Sequence, residues 1–184
     1  DYDRLMGQGS GAGVIFGNTG GVMEAALRTA YEYITGEQAP GVLYELTPVR
    51  GMEAVREASL QIADMTVNVA VVYGTASLRR FLEEMRNGEK QYHFVEVMTC
   101  PGGCIGGGGQ PKDKKFEGDA LRQKRIDSLY KRDGAMTVRL SHENEEIKVL
   151  YQEFYKKPLS ELAEKMLHTS YRDKRGQLEG KEID

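Results

Sequence analysis

The feature that most constrains this chain is a glycine-rich stretch that contains both of its cysteines. It runs from Met98 to Pro111, and it includes Cys100, Cys104 and six glycines. Glycine lets the backbone adopt positive φ angles and pass close to a bulky group. An inorganic cluster held by thiolates uses such a backbone, because unblocked amides can donate hydrogen bonds to its sulfur atoms. Two cysteines alone make an incomplete cluster site, so a flexible glycine loop with two incidental cysteines is the alternative.

The segment before this stretch predicts where it lies in a fold. Met65 to Tyr73 is rich in valine, and Tyr92 to Val97 is a second apolar run; both are typical of strands. Between them, Gly74-Thr75 and Asn87-Gly88 bound a helical pattern. A strand–helix–strand unit of this kind predicts a crossover between parallel strands. The cysteine stretch should then begin at the carboxyl end of a strand, where open α/β sheets bind their ligands.

The other patterns predict mixed structure before the stretch and helices after it. Apolar residues at helical spacing predict a helix from Thr19 to Gly36, with Asn18 or Thr19 as its N-cap. The amides of residues 16–21 would then lie at a positive helix terminus, which suits an anion. The remaining predictions are short strands at Gly41 to Tyr44 and Ala54 to Ala63, a solvated basic turn at Lys112 to Lys115, helices at Gly118 to Asp133, Glu143 to Lys156 and Pro158 to His168, and a frayed end at Asp173 to Asp184.

Three parts of the sequence resemble corresponding parts of a known protein family. Glu96 to Pro111 resembles the third signature motif of the iron-only (diiron) hydrogenases, whose active-site domain holds a four-iron four-sulfur cluster joined to a two-iron subcluster. Gly11 to Arg28 resembles the segment that lines the diiron pocket in that family. Four short segments resemble its C-terminal helical tail: Ser141 to Asn144, Leu150-Tyr151, Lys157 to Ser160 and Leu167 to Thr169. These matches cover almost the whole chain in the expected order, which makes them more specific together than singly.

The resemblance implies a fold and a domain organisation. The implied class is α/β, as one lobe of the iron-only hydrogenase catalytic domain, with a mixed, mostly parallel sheet flanked by helices and a C-terminal helical tail. Residues 1–111 would form the lobe with the cluster-binding loop, and residues 112–184 the tail. The family places its other two cluster cysteines and a proton-relaying cysteine in preceding motifs, and no Thr-Ser-Cys-Cys-Pro or Met-Pro-Cys sequence occurs here. With Asp1 as the first residue, we expect a C-terminal half whose partner is the N-terminal half of the same domain.

The resemblance also implies roles for individual residues. Cys100 and Cys104 would be two of the four thiolates on the cubane cluster, and Cys104 would also bridge to the nearer iron of the diiron unit. Met98 would form a soft apolar wall beside that unit. Phe16 would pack against it, and Gly17 would let the backbone approach. Catalytic roles are therefore expected for Cys104, Met98 and Phe16, with both metal groups present in the parent enzyme and absent from the isolated half.

The implied activity is the reversible reduction of protons to dihydrogen, with electrons supplied by ferredoxin-type carriers. One alternative is a non-catalytic relative used in cytosolic iron–sulfur protein assembly, which shares the cubane ligands without the diiron unit. Another is a homodimer of the isolated chain, in which two copies pool four cysteines to bind a metal. The presence of Met98, Phe16 and the Gly-Gly-Gly-Gly-Gln-Pro run favours the enzyme.

Composition excludes several other classes. The net charge of −3 argues against a dedicated nucleic-acid surface, and no apolar run approaches the roughly 20 residues that span a bilayer. Two cysteines make no disulfide framework. In the parent enzyme both would be thiolate ligands, so a reducing, anaerobic and cytoplasmic setting is expected, although an export signal could lie upstream. His142 and His168 have no cysteine or carboxylate at metal-ligand spacing and are assigned capping or surface roles. His93, inside a predicted strand, and Glu24, one turn into the first predicted helix, are also assigned structural roles.

Overall fold

The computed structural model describes residues 8–112 and 118–178. The chain divides into two compact units, one extending to Asn144 and the other beginning at Glu145. The first unit contains α1 (Gly11–Ile15), α2 (Gly21–Thr35), β1 (Val55–Ile62), β2 (Met65–Tyr73), α3 (Thr75–Arg86), β3 (Phe94–Met98) and α4 (Asp119–Ala135). The second contains α5 (Glu145–Leu150), a π-helical turn (Tyr151–Tyr155), α6 (Glu161–Leu167) and α7 (Arg175–Leu178). Short 3-10 helices lie at Gly41–Tyr44, Thr47–Val49, Cys104–Gly106 and Ser141–Glu143.

The three strands form one mixed sheet in the order β1-β2-β3. Strand β1 pairs with β2 in the antiparallel direction, with Val55 opposite Val72. Strand β3 pairs with β2 in the parallel direction, with Tyr73 opposite Met98, and α3 connects the two. The predicted parallel strand–helix–strand unit is therefore confirmed, as is the α/β class.

The central strand β2 is covered on both faces. Val69 and Val71 join a cluster with Met23 and Leu27 of α2, whereas Ala70 and Val72 pack with Phe81 of α3. This double burial explains why β2 reads as a nearly continuous apolar run rather than an alternating one. The sheet can therefore hold the end of its neighbour β3 in a fixed position.

Two local predictions were wrong. Gly41 to Tyr44 is a 3-10 helix rather than a strand; the Leu43 amide donates to the Pro40 carbonyl, and the Leu43 side chain is buried. Helix α2 begins after Gly20, whose φ of 99° requires a residue without a Cβ, so neither Asn18 nor Thr19 is its N-cap.

The helices predicted after the cysteine stretch are present. Helix α4 occupies the first, α5 with the π-helical turn the second, and α6 the third. Helix α6 begins as expected, with the Ser160 hydroxyl accepting a hydrogen bond from the Ala163 amide. The predicted basic turn lies, apart from Lys112, outside the described residues; so does the charged end beyond Leu178, before which α7 is helical. Among the described residues, no helix is both long and apolar enough to cross a membrane.

Candidate metal centre

The cysteine stretch begins where β3 ends, as predicted. The carbonyl of Met98, the last residue of β3, accepts a hydrogen bond of 2.9 Å from the amide of Gly74, the residue before α3. Cys100 is partly exposed, Cys104 is exposed, and both are free thiols. Both cysteines therefore follow the carboxyl end of β3, which pairs in parallel with the central strand β2.

A tight glycine turn folds the stretch back on itself. The Gly103 amide donates to the Cys100 carbonyl at 3.0 Å, and the Gly107 amide donates to the Cys104 carbonyl at 3.1 Å. A Cβ atom placed on Gly107 would lie 3.8 Å from Cys100 Sγ and 3.9 Å from Cys104 Cα. Both cysteines thus lie beside the same glycine, and a Cβ there would be in van der Waals contact with the Cys100 sulfur.

The cysteine turn is docked on the loop between α1 and α2. The Thr19 amide donates to the Gly102 carbonyl at 3.0 Å, and the Ile105 amide donates to the Gly17 carbonyl at 3.1 Å. Gly103 has a φ of 91°, and a Cβ on it would lie 2.7 Å from the Thr19 nitrogen and 2.9 Å from the Met98 sulfur. Only glycine permits this close approach.

The fold therefore brings together Gly17, Met98, Cys100 and Cys104. The backbone of Phe16 lies in the same loop, next to Gly17, and its side chain is 45% exposed. Phe16 is thus available to a group outside the core of this unit.

Glu96 holds the two sides of the site together, and sequence reasoning missed it. Its carboxylate accepts hydrogen bonds from the amides of Gly20 at 2.6 Å and Met23 at 2.7 Å, so it caps α2 from a neighbouring strand. Burial raises the pKa of Glu96, although the two amides and the Arg56 guanidinium act in the opposite direction. The available signal was its position: it lies two residues before Met98 on β3, and so on the same face of the strand.

Three arginines surround the docked turn. Arg56 donates to the Thr19 carbonyl at 3.3 Å, and Arg125 of α4 donates to the Ile105 carbonyl at 2.6 Å. The Arg122 side chain contacts the turn at Gly106, where an added Cβ would lie 2.9 Å from its Nε. Burial lowers the pKa of Arg56, with Glu96 acting against that effect. Positive groups around the turn would complement the charge of an anionic cluster.

The other titratable candidates have structural partners. Glu24 is fully buried and accepts hydrogen bonds from Arg50 at 2.9 and 2.7 Å and from the Tyr130 hydroxyl. Burial, together with Glu24, raises the pKa of Tyr130 above its usual range. His142 bridges Thr29 and Glu32, and the His93 ring accepts from the Asn68 amide. His168 lies 3.7 Å from Glu164.

The residues present fit an iron–sulfur group as half of its ligand set. Within residues 8–112 and 118–178, no three or more histidine, cysteine or acidic side chains converge on a metal position, so the chain offers two thiolates there and not four. The Thr19 hydroxyl is buried beside the turn and has no hydrogen-bond partner among the described residues. Thiols are ligands for an iron–sulfur cluster, and a buried hydroxyl without a partner is a group that can donate a hydrogen bond to it.

Comparison with known proteins identifies the family of this arrangement. Residues 1–108 match the family model of the C-terminal domain of the iron only hydrogenase large subunit, and residues 119–174 match that of the iron hydrogenase small subunit. A subunit of the NADP-reducing hydrogenase of Solidesulfovibrio fructosivorans is 47% identical over 93% of this chain and 28% of its own length. The periplasmic [Fe] hydrogenase large subunit of Nitratidesulfovibrio vulgaris is 46% identical over 109 residues, which are 59% of this chain and 25% of that protein.

A solved hydrogenase structure and a more distant relative are also similar to this chain. The apo [FeFe]-hydrogenase of Chlamydomonas reinhardtii superposes with a TM-score of 0.69 and 39% identity over 93% of this chain and 48% of that chain. Protein NAR1 of Arabidopsis thaliana is 32% identical over 85% of this chain and 33% of its own length. The chain thus spans less than half the length of these proteins. Since more than half of its residues match the C-terminal domain model of the large subunit, the chain belongs to the iron-only hydrogenase family.

Proposed function

We propose that this chain supplies one wall of the active site of an iron-only hydrogenase, which interconverts protons and dihydrogen. The observation that carries the proposal is the pair of free cysteines, Cys100 and Cys104, held by a glycine turn against Gly17 and Met98. When bound, the cluster and its diiron unit supply electron storage and the site of proton reduction. The protein supplies ligation, position and exclusion of water.

Cys100 and Cys104 would hold the four-iron four-sulfur cluster. Cys104, the more exposed of the two, would also join the diiron unit. Gly107 keeps the space beside the Cys100 sulfur open, because any larger residue would place a carbon atom there. The Gly107 and Gly103 amides are already bonded within the turn, so they fix the spacing of the cysteines rather than contacting the cluster.

Phe16, Gly17 and Met98 would line the diiron side. The Met98 sulfur packs against the turn at Gly103, which places a soft apolar group beside the cysteines. The half-exposed Phe16 ring would gain burial when the remaining wall is in place. Together these two side chains would exclude water from the reacting atoms.

The remaining wall would come from the N-terminal half of the same catalytic domain. A cubane cluster takes four thiolates, so two further cysteines must come from residues outside this sequence. Among the described residues β3 is at an edge of the sheet, and Val97 on it is 47% exposed, which suits contact with another part of the protein. Ferredoxin-type carriers in the cytoplasm would exchange electrons with the intact enzyme.

The proposal is tested by substitution in the full-length protein. We expect Cys100→Ser and Cys104→Ser to lower the bound iron and abolish hydrogen evolution, because each removes a thiolate ligand. The control Thr99→Ser alters the exposed residue just before Cys100 and should retain both the iron and the activity. A folded, cluster-loaded parent protein that evolves no dihydrogen would overturn the proposal.

The similarity to the cytosolic iron-sulfur assembly component 3 of Mus musculus, which is 30% identical over 84% of this chain and 31% of its own length, supports a second candidate, a non-catalytic role in iron–sulfur protein assembly. Such a protein would carry the cubane cluster on the same cysteines without a diiron unit. Infrared bands of metal-bound carbon monoxide and cyanide in the full-length protein separate the two, since only the enzyme should show them. Light scattering with metal analysis of the isolated chain tests the remaining alternative, a metal-bridged homodimer.

A further inference from the structure

Three buried side chains behind the cysteine turn each carry a polar atom that has no hydrogen-bond partner among the described residues. These atoms are Asn18 Oδ1, Thr19 Oγ1 and Arg56 Nε. Asn18 and Thr19 are completely buried, and Arg56 is 4% exposed. Leaving a buried donor or acceptor unpaired costs free energy, so such atoms in folded proteins are paired with protein groups or with ordered water. Each of the three atoms therefore needs a partner inside the same enclosed region.

The three side chains lie together, between the α1–α2 loop and β1. Arg56 donates through Nη2 to the Thr19 carbonyl at 3.3 Å, and its Nε is bonded to the same guanidinium carbon as Nη2. Asn18 directly precedes Thr19 in the chain. Tyr130 lies beside both ends of this group. Burial raises the pKa of Tyr130, and a hydrogen bond from Asn18 acts against that effect; burial lowers the pKa of Arg56, and the charges of Glu96 and Tyr130 act against it.

The hydrogen-bonding capacity of the three atoms defines the ligand that suits them. Asn18 Nδ2 donates to the Ile15 carbonyl at 2.6 Å, which leaves Oδ1 as an acceptor. Arg56 Nε can only donate, whereas the Thr19 hydroxyl can do both. A ligand that contacts all three must therefore accept one hydrogen bond and donate others. An anion cannot donate to Asn18 Oδ1, and a metal cation cannot accept from Arg56 Nε. Water does both, and a buried water molecule typically makes about three hydrogen bonds.

The charges around the group also favour a neutral ligand. The guanidinium of Arg56 already faces the carboxylate of Glu96, so its charge is balanced within the fold. The unpaired atoms of Asn18 and Arg56 have almost no accessible surface. A side chain from another part of the protein could reach them only by displacing the residues that cover them. A small molecule enclosed during folding needs no such opening.

We propose that one ordered water molecule binds behind the cysteine turn, where it accepts a hydrogen bond from Arg56 Nε and donates to Asn18 Oδ1 and to the Thr19 hydroxyl oxygen. The hydroxyl proton of Thr19 stays free to be donated elsewhere. The water connects β1 to the α1–α2 loop, and the Thr19 amide of this loop donates to the Gly102 carbonyl. It therefore helps to hold the loop on which the cysteine turn is docked. The site needs no bound metal, so it is independent of the proposed function.

A crystal structure of the full-length protein, at a resolution that shows ordered water, tests the site directly. We expect one peak of electron density within about 2.7–3.2 Å of Arg56 Nε, Asn18 Oδ1 and Thr19 Oγ1. A structure in which no single peak contacts these three atoms would overturn the proposal. So would a structure in which Asn18 Oδ1 accepts directly from Arg56 Nε.

The variant Thr19→Val provides a second test, in which the two possible states of the hydroxyl give effects of opposite sign. Valine replaces the hydroxyl with a methyl group of similar size. If the hydroxyl binds the water, the variant loses a hydrogen bond, and we expect the folding equilibrium constant to fall by about tenfold. If the hydroxyl is unpaired, valine removes a buried unsatisfied group and the constant should rise.

Urea unfolding of the metal-free full-length protein measures this constant without any contribution from a bound cluster. Thr99→Val is the matched control, because it makes the same substitution at an exposed residue and should change the constant by less than about threefold. A Thr19→Val protein that is as stable as the wild type, or more stable, would overturn the proposal.

Discussion

Replacement of Glu96 is the most direct test of how the site is held in place. Its two carboxylate oxygens cap α2 at Gly20 and Met23, and its charge faces the buried Arg56. Glu96→Gln keeps the shape but turns an NH2 group toward one of the two amide donors. Glu96→Ala removes both acceptors and leaves the Arg56 guanidinium without the carboxylate.

The expected cost follows from these contacts. A hydrogen bond to a charged group contributes about 1.5–3 kcal/mol, and a buried donor left unpaired costs a similar amount. We therefore expect Glu96→Gln to lower the free energy of unfolding by about 2 kcal/mol. Glu96→Ala leaves two buried amides without acceptors and takes away the carboxylate that faces the buried Arg56, so we expect a loss of about 3–5 kcal/mol.

Urea unfolding of the protein measures the overall loss, and hydrogen exchange locates it. The amides of Gly20 and Met23 should exchange faster in both variants, and so should the Thr19 amide that binds the cysteine turn. Glu57→Gln is the matched control, since Glu57 pairs with Lys90 on the exposed side of β1 and should contribute less than about 1 kcal/mol. If Glu96→Gln costs no more than Glu57→Gln, or if the exchange of these amides is unchanged, the assigned capping role is wrong.

Two further predictions concern the cysteine turn at Gly103 and the buried carboxylate of Asp133. Gly103→Ala should displace the cysteine turn, because Gly103 has a φ of 91° and an added Cβ would overlap the α1–α2 loop. We therefore expect this variant of the full-length protein to retain less iron. The control Gly108→Ala adds a Cβ where the surrounding space is open, and it should retain iron. Burial tends to raise the pKa of Asp133, but hydrogen bonds from Arg139 and Arg28 outweigh it and hold the pKa below its usual 3.8. The ionised Asp133 therefore stabilises the fold above pH 3.8, and this contribution is lost as the pH falls through the folded-state pKa. We expect the free energy of unfolding to fall less steeply with decreasing pH in Asp133→Asn than in the wild type. An equally steep limb in that variant would contradict this linkage.

Sequence reasoning succeeded where the determining interactions are local. The apolar run of β2 and the glycine-containing pairs that bound α3 predicted the parallel strand–helix–strand unit. The position of Cys100 just after a strand followed from that prediction. It failed at Gly41–Tyr44, where a short apolar run fits several conformations and packing under α2 decides between them. It also failed at the start of α2, because the cap comes from Glu96, more than 70 residues away.

The same distinction explains why the supports of the site were not visible in the sequence. The glycine turn can be recognised from its composition, but a glycine-rich segment loses more conformational entropy when it is ordered. What orders it is the hydrogen bonding from the α1–α2 loop, which Glu96 fixes, and from Arg125 on α4. A metal site whose ligands are already positioned loses less free energy on binding than one that must first be ordered. The spacing of Cys100 and Cys104 thus depends on side chains that are not ligands themselves, and variants of Glu96 and Arg125 should weaken metal retention without removing any ligand.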